Sequence, residues 1–406
     1  MMEIIIIIAN VFKWLIFIYM SLATFYVLFF SIAGLFKHNI SIQPSKHERK
    51  IAVLIPGYKE DDVIVNVAQS ALKQDYSPEK YDVIVIADSF SEITLNKLKK
   101  LPIKVIEVAF DISSKSKSLN KAMQILPSNE YEIAVILDAD NLMEKCFLKK
   151  INTAFENGSI AIQGHRTAKN FNTPIALLDS ISEEINNHIF RKGHRVIGFS
   201  SALIGSGMAF NYDLFKENMS TINSFGEDKE LEINLIERHI RIEYLEDAYV
   251  FDEKIEKSKS FVRQRTRWIS NQILYAKKYF FRSFYHLFVK LNMDYFEKVM
   301  QHFQPPRIFL GGTLFLAVLL AFVFNDHVLR FAWLIIFMLF IVSMFCAIPK
   351  KFINFKILRI FYLIPLGYVL MLFSLINARQ PIKSFNPTKH SGNIGVDTND
   401  IDSKNT

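Results

Sequence analysis

Five uninterrupted apolar residues, Ile133 to Leu137, run into two carboxylates, Asp138 and Asp140, separated by one alanine. Such a run reads as a strand buried on both faces. In an open parallel sheet the carboxyl ends of strands border the crevice where ligands bind. Two carboxylates placed there repel each other unless a cation lies between them. Oxygen donors suit magnesium or manganese, ions that usually hold substrate phosphates as well. Taken alone, Asp-x-Asp is also an ordinary solvated turn after a strand. Other groups recur at comparable places. Asp88 ends the apolar run Val83 to Ala87, and Glu227-Asp228 opens a helical stretch, Lys229 to His239, where acids also serve as plain caps. The basic, hydroxyl-rich stretch Ser113 to Lys121 leads into a helix. Amides at such a start, with lysines beside them, attract phosphate, although a solvated loop has the same composition. Arg263-Gln264-Arg265-Thr266-Arg267-Trp268 begins a basic, aromatic stretch reaching Phe284, the composition of a membrane-surface helix.

The elements that must position these groups follow from periodicity. Ile51 to Pro56, Val83 to Ala87, Lys104 to Val108 and Ile133 to Leu137 alternate with helical patterns such as Val63 to Leu72. That alternation predicts an α/β domain whose strands pair in parallel through right-handed crossovers, so that Asp88, Asp138 and Asp140 share one rim. A further strand is expected at Ile160 to Gln163. Ile175 to Arg195 repeats apolar residues at helical spacing before the basic group Arg191, Lys192, His194 and Arg195. It reads either as a helix lying on a membrane or as a packed surface helix. The glycine-punctuated Ile204 to Phe210 permits a tight turn or a close backbone approach to a ligand.

Half of the 406 residues are hydrophobic, and the excess lies at the two ends. Trp14 to Phe36 is uncharged and Ile4 to Ala9 extends it, enough for a bilayer crossing of about 20 residues. The run is too long for a cleaved signal, and no small-residue cleavage site follows it. Ile308 to Phe324, Val328 to Pro349 and Ile357 to Ile376 read as three further spans. Lys37, His38, Lys46, Arg49 and Lys50 follow the first span, and Lys350, Lys351, Lys356 and Arg359 mark a second internal loop. Positive charge stays inside, which places the central domain in the cytoplasm. The expected organisation is an N-terminal anchor at 1–45, a cytoplasmic domain at 46–280, interfacial helices with three spans at 281–377, and a polar tail at 378–406. Counting spans puts that tail outside, against which Arg379, Lys383 and Lys389 argue. The net charge of +8 fits an anionic membrane surface as well as plain solubility. Cys146 and Cys346 fall in the domain and in a span, so a disulfide framework is unsupported. No nucleic-acid partner is expected.

Taken in order, Asp88, Asp138-x-Asp140, Glu227-Asp228 and Gln264-x-x-Arg267-Trp268 closely resemble the motifs of the membrane-integrated family-2 glycosyltransferases. These are GT-A (Rossmann-like) enzymes such as the synthases of cellulose, hyaluronan, chitin and poly-N-acetylglucosamine. The likeness runs from about Ile51 to Trp268. It implies that Tyr58, Glu60 and Asp88 hold the nucleotide of a UDP-sugar. Lys115, opening a Lys-x-x-x-Leu-Asn segment, is implied to lie near the diphosphate. Asp140 is implied to ligate Mn2+ or Mg2+, with Asp138 contacting the sugar or supporting the metal through water. Asp228, with Glu227 beside it, matches the general base. Gln264, Arg267 and Trp268 match the motif that covers the diphosphate and forms the acceptor end. Lys59 and Gly226 depart from the family's usual Asn and Thr, and Glu230 and Glu232 are further acids near Asp228.

The resemblance implies inverting, processive transfer to a growing β-linked polysaccharide at the cytoplasmic face of a plasma or inner membrane. With only three spans after the domain, export of the chain calls for a second copy or a partner protein. Gln-x-x-Arg-Trp also occurs in ceramide glucosyltransferase-like proteins, so single-sugar transfer to a lipid acceptor is the alternative. A non-catalytic channel or assembly subunit is the alternative of another class. Every motif position keeps its reactive side chain, which speaks against it.

Overall fold

The computed structural model describes residues 2–38, 47–224, 226–324, 329–352 and 355–378. After a long helix α1 (Met2–Ala33), the four apolar runs form β1 (Ile51–Tyr58), β2 (Tyr81–Asp88), β3 (Lys104–Val108) and β4 (Ile133–Ile136). They pair in parallel, with β1 between β2 and β4 and with β3 outside β2. The chain leaves β1 towards β2 and returns on its other side as β4. The crevice between the carboxyl ends of β1 and β4 is therefore a topological switch point, where ligands bind in open α/β sheets.

Beyond β4 the all-parallel expectation fails. β5 (Leu142–Met143), β6 (Ala161–Ala168), β7 (Met208–Asn211) and β8 (Glu243–Asp252) extend the sheet to the order β3-β2-β1-β4-β7-β6-β8-β5 among the described residues. β7 runs antiparallel to both β4 and β6, and β8 is parallel to β6. β7 is four residues long and is entered through Gly205 and Gly207, both at positive φ, a conformation that costs glycine nothing. The run at Ile160 to Gln163 continues to Ala168 through His165 and Arg166, which are buried and polar.

The intervening helices are α2 (Ile64–Ala71), α3 (Glu92–Leu98), α4 (Lys115–Ile125), α5 (Phe147–Glu156), α6 (Pro174–Asn186), α7 (His194–Ile197), α8 (Tyr212–Met219) and α9 (Glu227–Glu237). α2, α3 and α5 close one face of the sheet over Ile51, Val53 and Ile55. α4, α8 and α9 close the other over Ala52, Leu54 and Ile84. Burial on both faces is why β1 and β4 are apolar at every position.

α6 is neither a membrane-lying nor a surface helix. Its Ile181 and Ile185 join an apolar cluster with α1 and the later helices, while Glu183 and Glu184 bind Arg166 and His165 of β6. Asp179, Glu183, Glu184, Arg191 and His194 of this stretch are all buried. The helical spacing was correct, but both sides of the helix are covered.

The chain ends in α10 (Ser258–Phe288), α11 (Met293–Gln301), α12 (Arg307–Val323), α13 (Leu329–Ala347) and α14 (Phe355–Asn377). Among the described residues α1 and α13 are long and apolar enough to cross a membrane; α12 and residues 362–377 are shorter apolar helices. α1 packs along α13, with Phe17 edge-on to Trp333 at 4.9 Å. The polar tail from residue 379 on, with its basic residues, lies outside the described residues.

Candidate active site

Parallel register sets Tyr58 opposite Asp88 at the ends of β1 and β2. The Lys59 amide donates to Asp88 O at 3.1 Å, and Lys59 itself lies at φ 54. That left-handed conformation suits the asparagine usual in the resembled family better than lysine. Asp88 is fully buried; its Oδ1 accepts from Ser89 Oγ at 2.9 Å, and its Oδ2 has no partner among the described residues. A buried carboxylate oxygen without a donor is costly. At Gly57 a Cβ would stand 2.7 Å from Phe90 and 3.4 Å from Ala139. Glycine there lets the end of β1 lie against the Asp138–Asp140 turn.

The Asp138 amide donates to Ser206 Oγ at 3.0 Å, and the Asn141 amide closes the turn on Asp138 O at 3.0 Å. Lys115 occupies the first position of α4, capped by Ser114, whose Oγ accepts from the Lys117 amide at 3.2 Å. Its Nζ lies 2.5 Å from Asp138 Oδ1, 2.5 Å from Gly205 O and 3.5 Å from Glu227 Oε1. Burial alone would lower the Lys115 ammonium, but the charges of Asp138, Glu227 and Asp228 outweigh it and push its pKa up to about 12. Burial raises the Asp138 carboxyl, yet Lys115, with Arg166 and Arg267, holds it below its ordinary value.

Asp140 stands beside Asp252, a residue not singled out in the sequence. The Asn141 amide joins them, donating from Nδ2 to Asp140 Oδ1 and to Asp252 Oδ1, each at 3.1 Å, while Asn141 Oδ1 is buried without a partner among the described residues. No group of three or more His, Cys, Asp or Glu among the described residues forms a cage for an ion. The oxygen-only set around Asp140 does fit Mn2+ or Mg2+, which often take one or two carboxylates and complete their shell with water and substrate phosphates.

Glu227 and Asp228 are the first two residues of α9. Burial and then the charge of Asp228 raise the Glu227 carboxyl to about 7, with Lys115 pulling against them. Asp228 Oδ2 lies near Gly205, across from Lys115 Nζ. Gly226 precedes them because a Cβ there would meet Tyr275 Oη at 2.9 Å and Asn271 Nδ2 at 3.0 Å, which accounts for the missing threonine. Glu230 and Glu232 turn away to Lys278 at 2.9 Å and Lys298 at 3.1 Å.

α10 brings Gln264, Arg267 and Trp268 over this rim. Burial lowers the Arg267 guanidinium, opposed by Glu227, Asp138 and Asp228. Gln264 Oε1 is buried without a partner among the described residues, and the exposed Trp268 indole carries the Arg265 guanidinium 4.3 Å from its ring centre.

The site residues expected from the sequence, Glu60 included and Asp88 excepted, line a cavity of about 1170 Å³. It starts at Tyr58, Asp138 and Asp228, passes Gln264 and Trp268, and continues between α12, α13 and α14 along Phe315, Phe337, Met344 and Tyr368. Its wall also contains Arg166, Asp252, Lys254 and Arg307, which sequence reasoning missed. Arg166 and Lys254 are buried in ion pairs with Glu183 and Asp252. An acid ending an alternating run, Asp252, and an arginine opening an apolar span, Arg307, were the available signals.

Residues 47–271, more than half of the chain, match the family described as Glycosyltransferase like family 2. The chain is 24% identical over 380 residues to the probable glycosyltransferase YdaM of Bacillus subtilis (strain 168), covering 85% of this chain and 89% of that protein. It is also similar to the solved mannosyltransferase PcManGT of Pyrobaculum calidifontis in complex with GDP-Man and Mn2+. The TM-score is 0.54 at 15% identity, over 90% of this chain and 96% of that one. At that identity the likeness is one of fold.

Proposed function

The chain belongs to glycosyltransferase-like family 2 and is a glycosyltransferase, and from that premise we propose that it transfers a sugar, with inversion, from a UDP-sugar to a hydroxyl of a lipid-linked acceptor at a membrane. One observation carries this reading: a single cavity is charged at the strand ends and apolar between α12, α13 and α14. Sugar hydroxyls buried among Phe337, Ile341 and Met344 would lack hydrogen-bond partners, at a cost of a few kcal/mol each. A lipid tail meets no such cost. α1, α12, α13 and α14 are the spans in this reading, with the sheet on the cytoplasmic side.

In the reaction Asp228 takes the proton of the acceptor hydroxyl, whose oxygen attacks the anomeric carbon as the bond to the diphosphate breaks. Lys115 and Arg267 stand where the leaving diphosphate gains charge. The resemblance gives Asp88 the nucleobase, but its carboxylate is fully buried and stands outside the cavity wall. Asp140, with Asp138 beside it, would hold a Mn2+ or Mg2+ ion, which when bound would further neutralise the diphosphate.

Trp268 favours a second reading, elongation of a polysaccharide, because sugar rings pack on flat aromatic faces such as its exposed indole. Purified protein incubated with a panel of UDP- and GDP-sugars, lipid acceptors and sugar oligomers separates these readings by product mass. Single additions to lipid from UDP-sugars are expected. Long chains grown on few acceptors would replace the acceptor reading, and transfer from GDP-sugars alone would replace the donor.

A further inference from the structure

Where the cavity passes from its polar to its apolar part, three guanidinium groups gather around one directly paired carboxylate among the described residues. Arg307 opens α12 directly after Pro305 and Pro306. Its Nη1 donates to Asn186 Oδ1 at 2.7 Å and its Nη2 to Ser182 O at 2.9 Å and Ser182 Oγ at 3.3 Å. Arg191, 3% exposed, donates to Ala202 O at 3.2 Å and Asn187 Oδ1 at 2.5 Å. All of these acceptors are neutral, and among the described residues neither arginine forms an ion pair. Glu183, whose charge reaches Arg191, is already held by Arg166 and Lys254. Arg265 has a carboxylate, Asp179, and stacks on Trp268. The charges of Arg265 and Arg191 both bear on Arg307.

Three guanidiniums thus share one directly paired carboxylate at the cavity wall. Buried charge without a counter-ion is unfavourable, and the planar guanidinium fork matches phosphate oxygens in two-bond geometry. Immediately beyond Arg307 the wall turns apolar at Ile308 and Phe315. We propose that this cluster binds the phosphate of a lipid whose tail lies between α12, α13 and α14. The acceptor is then a lipid-diphosphate-linked sugar, whose sugar hydroxyl accepts, not a phosphate-free glycolipid. The inference rests on the lipid-acceptor reading above and adds the group that recognises the acceptor. Its logic is charge complementarity: the anion neutralises Arg307 and Arg191 while the tail fills the apolar arm, which holds the accepting hydroxyl on the side of Asp228.

The test uses the full chain in phosphatidylcholine nanodiscs with radiolabelled donor. A polyprenyl-diphosphate sugar is compared with a polyprenyl glycoside of the same sugar and chain length. The phosphate-bearing acceptor is expected to show a KM about ten- to hundredfold lower, the range of one or two charge-assisted hydrogen bonds. Arg307→Gln should collapse that ratio towards one, and Arg307→Lys should retain most of it. A measurement on the unaltered protein guards against a variant that fails to fold: a short-chain isoprenyl phosphate should inhibit transfer while the matching alcohol does not. Replacing phosphatidylcholine by phosphatidylglycerol should leave the KM ratio intact. Its loss there would assign the cluster to bilayer headgroups and overturn the acceptor-phosphate proposal. Equal use of both acceptor types by the unaltered protein would overturn it too, while leaving the lipid-acceptor reading standing. Extension of sugar oligomers with no lipid used in any form would remove both.

Discussion

Within six residues α9 carries four acids that meet opposite fates. Glu227 and Asp228, in its first turn, face the cavity and share Lys115. Glu230 and Glu232, further along, are taken by lysines of other helices, Lys278 and Lys298. Burial raises both Glu227 and Glu232. For Glu232 the charges of Lys229 and Lys298 outweigh burial and hold it below the usual carboxylate range. For Glu227 the neighbouring Asp228 adds to burial, and its carboxyl rises to about 7. The same residue type, five residues along one helix, is thus poised near neutrality in one place and locked as an ion in the other. Acids whose environments push their protonation apart in this way mark reactive ground, whereas a matched buried pair marks architecture.

The largest expected effect extends the contrast to Asp140. Excess chelator should abolish transfer and Mn2+ or Mg2+ should restore it, while Asp140→Ala should leave no measurable rate with either ion. Undiminished turnover in chelator would remove the metal from the reading. Next, Asp228→Asn should reduce turnover by about 10²- to 10⁴-fold, as for acid–base groups, with nucleotide binding near normal by calorimetry. Glu230→Gln should remain close to the unaltered enzyme, and the reverse pattern would move the base away from the first turn. For the locked acid the expected loss is in stability. Glu232→Gln strands the buried Lys298, 1% exposed, and should cost about 3–5 kcal/mol. Combining it with Lys298→Met should recover part of that loss in thermal denaturation, an outcome no catalytic role would produce.

The smallest effect is a pH dependence. The folded chain keeps the Glu227 proton up to about 7, while the ordinary value is 4.5. Between those values the folded state binds more protons than the unfolded one, so stability falls as pH rises through that window. Glu227→Gln cannot ionise and should escape the decline. Melting midpoints of the two proteins should therefore separate in favour of the glutamine variant as pH increases from about 5 to about 7. Curves that stay parallel would place Glu227 with the locked acids.

The two halves of the sheet differ in how far they could be read from the chain. β1, β2 and β4 are buried on both faces, so each carries a long apolar run, and the acids that end β2 and follow β4 stand out by contrast, whereas the edge strand β3 carries Lys104 and Glu107. β7 is a four-residue insertion between glycines and α8, and β8 carries the exposed Glu246 and Asp247. Neither has a period that distinguishes it from a loop. α6 had the correct spacing but the wrong surroundings, because its acids are answered by Arg166 and Lys254 from β6 and from the segment after β8.

The order of amino acids by itself determined which side chains end strands and open helices: Asp88, Asp138, Asp140, Lys115, Glu227 and Asp228. It also determined that apolar helices flank the domain, since local periodicity and run length need no distant partner. Only the tertiary structure decided that Glu232 is neutralised by Lys298 and that Asp252 joins Asp140 through Asn141. It alone also joined the rim to the space between α12, α13 and α14. The physical reason is that the charge state and exposure of a group depend on what surrounds it within a few ångströms. Those neighbours come from parts of the chain that only folding brings together.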